Sequence, residues 1–591
     1  MEEIEFTDVW QQYQRGVDYN RRKNIYSDTE DNYRFFHGDQ WHGAKLGPIK
    51  PITLNIIKPI VKYKVAVIHS NEYQVVFNPN GYVDVEQEET MKNLCKVLNE
   101  HANVVWEREQ LDRLVREAVK DSCINSEGCL HFYWQGDDLK AELINKTNIY
   151  YGNENSSDIQ NQPYIILSFR QTVNEVRKEA IKNGLSEEEA KKIVADDDFQ
   201  EQSGYENMTE EISDMCLVLL KYYKKKTIVV NDDGSTEERE TIHSVKSTRT
   251  VVIQKEEDNK MTLYPIAHIV WEDVKGDARG QGEVKYNIAN QIEINKTALR
   301  RAIAVKMGAY PKLIVNKENI QNSKALTTIG ATIEIEGNKN LDDVRKQAGY
   351  LQPATMSADS QNLQTELMTD TKELAGAGDT VTGNIDPTKA SGRAILAVQQ
   401  ANQQPLNEQL FKYKVFLEDC AKVMFDMWQT YSTNGIRVFI ELDKDGKKIM
   451  QPFFISYEQL SKLKVNIKID ITPKSPYDKF SQEQSIENLL NAKYITFEEY
   501  VEALDDDSAM PKKKLEALLQ KREENRRRIE LMQQQMQQQQ RKIEDAIKMK
   551  QSSNNAEIEN IQSQMADMTN NVIGGATNEM QQLQAGGNES Y

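Results

Sequence analysis

The chain has 591 residues, with 74 Lys plus Arg against 92 Asp plus Glu, and a formal charge of −18. Apolar residues make up 39%, below the roughly 45–50% of compact globular domains, so much of the chain is solvated, elongated or completed by a partner. No apolar run approaches the ~20 residues of a membrane span, MEEIEFTDVW lacks a secretory n-region and h-region, the five cysteines make no disulfide framework, and the acidic balance excludes a simple coat on nucleic acid.

Residues 1–80 read as short helices leading into an extended segment. Tyr33, Phe35, Phe36 and Trp41 surround the turn His37-Gly38-Asp39-Gln40. After Pro59, Ile60, Val61, Val65 and Ile68 share a helical face, and QVVFNP (74–79) reads as a strand. Residues 85–121 are helical by the stripes Met91/Leu94/Leu98 and Leu111/Leu114/Val115/Ala118. The period then changes: 129–135, 139–144, 164–170, 215–223 and 248–255 predict strands, with two short polar helices in 172–195. A helix without Gly or Pro follows over 281–307, its apolar residues Val284, Ile288, Ile292, Leu299 and Ile303 spaced mostly by four. So thin a seam predicts packing against like helices.

Two short strands, 310–316 and 331–337, frame an insertion, and a second helix over 357–375 carries Leu363, Leu367 and Leu374 on one side. GAGDTVTGNIDPTKAS (376–391) has no apolar periodicity and reads as a flexible loop, with Ser391 as N-cap of the next helix. That helix carries Leu406, Leu410, Tyr413, Leu417, Cys420, Met424, Met427 and Tyr431, and Pro405 kinks or restarts it. Strands follow at 436–443 and 465–472. Residues 482–550 are helical and charged: 511–550 hold 12 Lys plus Arg against 6 Asp plus Glu, a local +6, which leaves −18 − 6 = −24 on the rest. A glutamine tract at 533–540 and a short seam from Ile558 to Val572 lead to a disordered end.

Motifs of catalysis are missing. No Walker A sequence occurs, and Gly280-x-Gly282 lacks the third glycine of a dinucleotide site. Cys123, Cys129 and His131 lack the spacing and second pair of a zinc site. His37 and His42 read as turn residues, and Asp196–Asp198 and Asp505–Asp507 as solvated charges, because consecutive carboxylates diverge. The basic stretch 511–528 is interspersed with Glu516, Glu523 and Glu524, which suits a solvated helix with i,i+4 pairs. These absences predict a protein that is not an enzyme and uses no cofactor or metal.

The order of these parts carries more than any motif. YRFFHGDQW (33–41), NIIKPIVKYKVAVI (55–68), GDARGQGEVKYNIANQIEINKTALRR (276–301), SGRAILAVQQ (391–400) and VNIKIDITPKSPYDK (465–479) resemble, in that order, the portal proteins of tailed bacteriophages. The resemblance covers nearly the whole chain. It implies an α+β fold with a mixed α/β wing (1–275 and 391–475), stem helices (276–307 and 357–375), a small β-containing clip (308–356), a tunnel loop (376–390), a helical crown (480–550) and a flexible tail (551–591).

It further implies a homo-oligomeric ring, usually of twelve subunits, at one capsid vertex of the virion, made in the host cytoplasm. The ring's partners would be the major capsid protein, a transient terminase large subunit, head–tail adaptor and tail proteins, and double-stranded DNA passing without sequence specificity, with no membrane. On this reading Gly376, Gly378, Asp379, Gly383, Asp386 and Lys389 belong to a loop at the DNA channel. Lys296, Arg300, Arg301 and Lys306 face the channel, and Val284, Ile288, Ile292, Leu299 and Ile303 form the subunit interface. A net-acidic wall with sparse cations suits DNA that must slide. The alternatives are another phage neck or internal structural protein and, more distantly, a metal-dependent nuclease or packaging ATPase.

Overall fold

Helix α1 (Phe6–Arg22) opens the chain and buries Val9, Tyr13 and Val17 at four-residue steps. The computed structural model describes residues 6–45, 50–79, 85–196, 214–230, 236–309, 312–315, 348–351, 359–378, 404–444, 447–473, 485–504 and 512–550, plus positions 322, 324, 332, 334, 563 and 565–567. Two compact units divide the chain, Met1–Thr472 and Pro473–Tyr591.

In the first unit, α2 (Ile25–His37) and α3 (Ile57–Ile68) lead to strand β1 (Asn71–Pro79). Helices α4 (Val85–Arg108) and α5 (Leu111–Asn125) follow, separated at Gln110, whose φ is 52°. Strands β2 (Glu127–Gln135) and β3 (Asp138–Ile144) form a hairpin, and β9 (Ile266–Val270) pairs antiparallel with the other edge of β2. A second sheet runs in the order β4 (Ile149–Tyr151), β5 (Tyr164–Thr172), β6 (Met215–Val230), β7 (Thr236–Thr248), β8 (Val252–Asp258), antiparallel throughout. Helices α6 (Val173–Lys182) and α7 (Glu187–Ala190) lie between β5 and β6. The Thr172 side chain caps α6, and Ser186 with Glu189 forms a capping box on α7.

The hairpin β10 (Glu272–Val274) and β11 (Asp277–Gln281) delivers the chain to α8 (Glu283–Ala309). Strand β12 (Lys312–Val315) pairs with β13 (Ala348–Leu351). Helix α9 (Asp359–Leu374) follows, then α10 (Asn407–Tyr431). A hairpin, β14 (Ile436–Lys444) and β15 (Lys447–Ile455), precedes the short α11 (Tyr457–Lys462) and β16 (Val465–Pro473), which joins β1.

The main core gathers where α10 crosses the β2 sheet and α4. Phe77, Phe132, Phe416 and Trp428 are fully buried there. Asp426 on α10 accepts from the backbone N–H groups of Thr262 and Leu263, at 2.8 and 3.0 Å, and so fixes the loop before β9. The second unit holds α12 (Phe497–Ala503), capped by Thr496 and Glu499, and α13 (Lys512–Lys550). Its small cluster centres on Tyr500, Val501 and Leu504.

Several expectations are corrected. The strand expected over 248–255 is two strands, β7 and β8, joined by a turn in which Thr248 N–H donates to Val251 O. Strand 310–316 is β12, and its partner is 348–351; the expected strand 331–337, apart from single positions, lies outside the described residues. The strand at 465–472 pairs with β1, and the partner of 436–444 is the unforeseen 447–455. Pro405 sits in a 3₁₀ turn, and α10 begins just after it; the stretch before residue 404 lies outside the described residues. Ser391 and the seam from Ile558 to Val572 fall outside the described residues, save positions 563 and 565–567.

The tightest backbone approach is at Gly128 on β2, where a Cβ would sit 2.1 Å from the Ala118 carbonyl oxygen on α5. Gly128→Ala must push α5 off the sheet. We expect a loss of about 2–4 kcal/mol, read as a lowered midpoint in chemical denaturation of the full chain; an unchanged midpoint would contradict this packing.

Candidate functional site

Helix α8 has 27 residues and is about 40 Å long. Its first half is held by a column of polar side chains at four-residue steps: Glu283, Asn287, Gln291 and Asn295, all buried. Glu283 pairs with Lys64 of α3 at 2.7 Å. The Gln291 amide behaves as a strand partner. Its Oε1 accepts from Ile56 N–H at 3.0 Å, and its Nε2 donates to Leu54 O at 2.9 Å. Asn295 Oδ1 accepts from Leu54 N–H at 2.9 Å, and its Nδ2 donates to Gln40 Oε1 at 2.5 Å. Residues 51–56 belong to no helix or sheet, so these amides satisfy backbone groups that burial would otherwise leave unpaired.

Below this column lies a buried charged centre. Arg279 of β11 pairs through Nη1 with Glu127 and donates to the carbonyls of Lys146 at 2.9 Å and Ile149 at 2.7 Å. Glu127 also accepts from Tyr151 Oη at 3.0 Å and lies 2.9 Å from His268 Nε2. Lys146 Nζ donates to Asn125 O and Ser126 Oγ, at 2.8 and 2.6 Å. Burial pushes the Glu127 carboxyl up, but the Arg279 guanidinium and His268 outweigh it and hold it down at about 2. Burial lowers the Lys146 ammonium to about 8, with Glu127 opposing.

Among the described residues, Glu127, Cys129 and His268 bring three metal-capable atoms within 4.8 Å of one another. They do not suit a cation. Both Glu127 oxygens are taken, burial pushes the Cys129 thiol well up, and Arg279 and Lys146 already supply positive charge. The cluster is a structural ion-pair network.

Other residues weighed for chemistry are tied up in the fold. His131 sits between Glu142 and the Tyr222 hydroxyl, at 2.8 and 3.0 Å, and Cys123 is buried. His37 stacks on Tyr33. Asp196 pairs with Arg170 and accepts from Leu217 N–H, while Asp197, Asp198 and Asp505–Asp507 lie outside the described residues.

The stem residues divide into three sets. Lys296 lies 3.0 Å and Arg300 4.0 Å from Glu293 on the exposed side of α8. Arg301 instead turns to the second long helix and bonds Gln364 of α9, and Lys306 is exposed. Of the seam, Val284 is fully buried in its own subunit and so is not presented to a neighbour, and Ile288, half-buried, packs against the same core. Ile292, Leu299 and Ile303 are half-buried, while Tyr286, Val305 and Met307 are exposed.

Gly376 terminates α9 by a two-bond cap: with φ at 68°, its N–H donates to Glu373 O and Ala377 N–H to Lys372 O, at 2.9 and 2.8 Å. It is a helix stop rather than a hinge. Gly378 is buried, and Asp379, Gly383, Asp386 and Lys389 lie outside the described residues.

The family model for the phage P22-like portal protein matches residues 10–569, nearly the whole chain. This chain belongs to that family. No curated protein matches the sequence. The match spans both long helices, the polar column and the charged centre, and it separates a portal protein from a neck or internal component. The portal family is a structural family, not an enzyme family. Sequence reasoning registered the apolar seam of α8 but not its polar column, although Glu283, Asn287, Gln291 and Asn295 repeat at the same interval.

Arg279→Met leaves Glu127 buried without its main counter-charge. We expect it to lower stability by about 3–5 kcal/mol, with partial recovery in the Arg279→Met/Glu127→Gln pair, measured by urea unfolding.

Acid should weaken the fold below pH 6.5. Burial, with Arg116 and Arg108 nearby, lowers His69 and His101 to about 4. The unfolded chain therefore binds protons between pH 6.5 and 4 that the folded chain refuses. Glu127 adds to the loss below pH 4.5. Asp121, raised by burial to about 6, opposes it, as do Asp31 and Glu154, also raised by burial, but these shifts are outweighed by two histidines lowered to about 4 and by Glu127. Thermal melts should show the transition falling from pH 7 to pH 4; a flat profile would contradict the assignment.

Proposed function

We propose that this portal-family chain assembles head to tail into a ring of twelve copies at one capsid vertex. The ring is the channel through which double-stranded DNA is packaged and later released. The terminase large subunit docks on the clip during packaging, and adaptor and tail proteins take its place afterwards. Outer parts of the ring meet the major capsid protein. The observation that carries this reading is the family match across residues 10–569.

The distribution of apolar surface supports it. Within the first unit the long helices expose Tyr286, Val305 and Met307 on α8 and Leu363 and Leu374 on α9, the last at 84%. An isolated protomer leaves these side chains in water, and neighbours related by rotation cover them. Low overall basicity also suits passage. The exposed cations Lys296 and Arg300 are partly balanced by Glu293, so a phosphate backbone meets weak, screened attraction that does not hold it.

The direct test is the mass and end-on image of the purified full chain. At 68.0 kDa per protomer, twelve copies give 12 × 68.0 ≈ 816 kDa and twelve-fold class averages. A monomer at all concentrations would contradict the proposal. Purified protein should hydrolyse neither ATP nor DNA, and robust hydrolysis abolished by one Asp or Glu change would contradict it too. Deleting about half of 379–390 should leave ring mass unchanged, because loop length costs little stability, but impair retention of packaged DNA. Normal packaging and retention by that variant would remove the loop from the channel.

A further inference from the structure

Between α3 and α5 runs an open groove of about 890 Å³. Phe36, Val61 and Val65 form its apolar floor, and Ala66 lies at its lip. Its rim carries Lys58 and Lys62 from α3 and Arg113, Arg116 and Lys120 from α5, against Asp112 and Glu117, which is 5 − 2 = +3. This rim sits on a chain of formal charge −18. Arg113 pairs with Glu117 at 3.2 Å, but among the described residues Lys58, Lys62 and Arg116 have no ion-pair partner. At one end the Nε2 of His69 is buried with no hydrogen-bond partner among the described residues. The lining repeats at helical spacing on both walls: Lys58, Val61, Lys62 and Val65 on α3, with His69 just past its end, and Asp112, Arg113, Arg116 and Lys120 on α5. A third helix laid along them would complete the layer.

The chain itself carries a helix of the matching chemistry. On α9, Gln364 and Thr371 are buried, and Gln364 meets Arg301 of α8. One exposed flank presents Leu363, Glu366, Asp370 and Leu374 at steps of three, four and four, with Glu373 beside them. That face is apolar at both ends and carries three carboxylates, −3 against +3.

A chain cannot fill its own groove with this face. The C-terminal end of α9 is already packed, through Ala375 and Ala377, on Ile60 and Tyr63. At 100° per residue, Ile60 and Tyr63 lie on the side of α3 opposite Val61, Lys62 and Val65. Each protomer therefore shows the basic groove on one flank of α3 and the acidic helix on the other. Two different, complementary surfaces on opposite flanks make a heterologous contact, the kind that closes into a ring when copies are related by rotation.

We propose that the α3–α5 groove receives the acidic outward face of α9 from the neighbouring copy of this chain. The proposal rests on the ring reading above and deepens it by naming the surfaces that meet. Leu363 and Leu374 cover the apolar floor, and Glu366, Asp370 and Glu373 face the rim cations, which sets the direction of the ring as well as its closure.

The test uses the full chain and mass photometry over a range of concentrations. Lys62→Glu/Arg116→Glu and, separately, Glu366→Lys/Asp370→Lys should each raise the assembly midpoint by at least about tenfold, with unchanged far-ultraviolet circular dichroism. The four changes combined should return it to within about threefold of wild type, because the opposed charges are restored in exchanged positions. As a second readout, Ala66→Cys/Leu363→Cys should give a ladder of disulfide-linked oligomers under oxidation, since the native cysteines are buried.

If the groove variant assembles like wild type, the pairing is wrong and the ring reading stands. If wild type itself never assembles, the ring reading fails and takes the pairing with it. Two weakened doubles with no recovery in the combination would assign the groove to a different acidic partner and overturn the proposal. An unchanged ring mass with weakened binding of duplex DNA would make the groove a nucleic-acid contact and overturn it equally.

Discussion

A 27-residue helix with one thin apolar seam has too little greasy surface to be held by burial alone, and in this protein amide side chains hold it. Gln291 and Asn295 supply, from α8, the hydrogen bonds that a neighbouring strand would give to Leu54 and Ile56. This contact fixes the angle at which the helix leaves the globular unit. It also fixes the irregular segment before α3, and with it the placement of α3 on α5. The Lys64–Glu283 pair and the Arg279–Glu127 centre extend the same anchorage to the β2 sheet. Buried pairs of this kind add little net stability against apolar replacements, but breaking one partner is costly. They serve orientation more than overall stability.

The anchorage divides α8 into two chemically different halves. From Glu283 to Ala298 its inward positions are buried among groups of the same chain. From Leu299 to Met307 the positions are half-buried at most, and Val305 and Met307 are exposed. Helix α9 shows the same bareness on its outward face. Exposed apolar side chains lie on both long helices, at Val305, Met307, Leu363 and Leu374, and also on the β14–β15 hairpin, at Phe439, Met450 and Phe454. Surface of that kind is covered by symmetry mates in a closed assembly.

Much of this was legible in the sequence and some was not, for physical reasons. The long elements followed from periodicity: α8 and α9 lie within a few residues of where spacing by three and four placed them, and α10 ends at the expected Tyr431, while the start expected after Ser391 lies outside the described residues. Strand β7 was missed because TEERETIHSVKST is polar on both sides, so it carries no alternation to read. Strand β15 was missed for the opposite reason. Its hairpin face carries Met450, Pro452 and Phe454 in the open, and a proline in an edge strand reads as a break. The partner of β16 could not be read at all, because its pairing with β1 closes some 400 residues of chain and local pattern holds no information on that. At the stem, the apolar seam was visible, but its assignment to a subunit interface failed at Val284. A hydrophobic position does not announce which partner covers it. The polar column was overlooked because amides at helical spacing usually mean solvent.

The central claim is that the first half of α8 is anchored within the protomer while the second half depends on its neighbours. Amide hydrogen exchange, compared between dilute protomer and assembled particle, tests it directly. The account predicts strong protection of residues 283–298 in both states, and protection of 299–307 that appears on assembly. Uniform protection along the whole helix in the protomer, or exchange in 299–307 that assembly leaves unchanged, would contradict it.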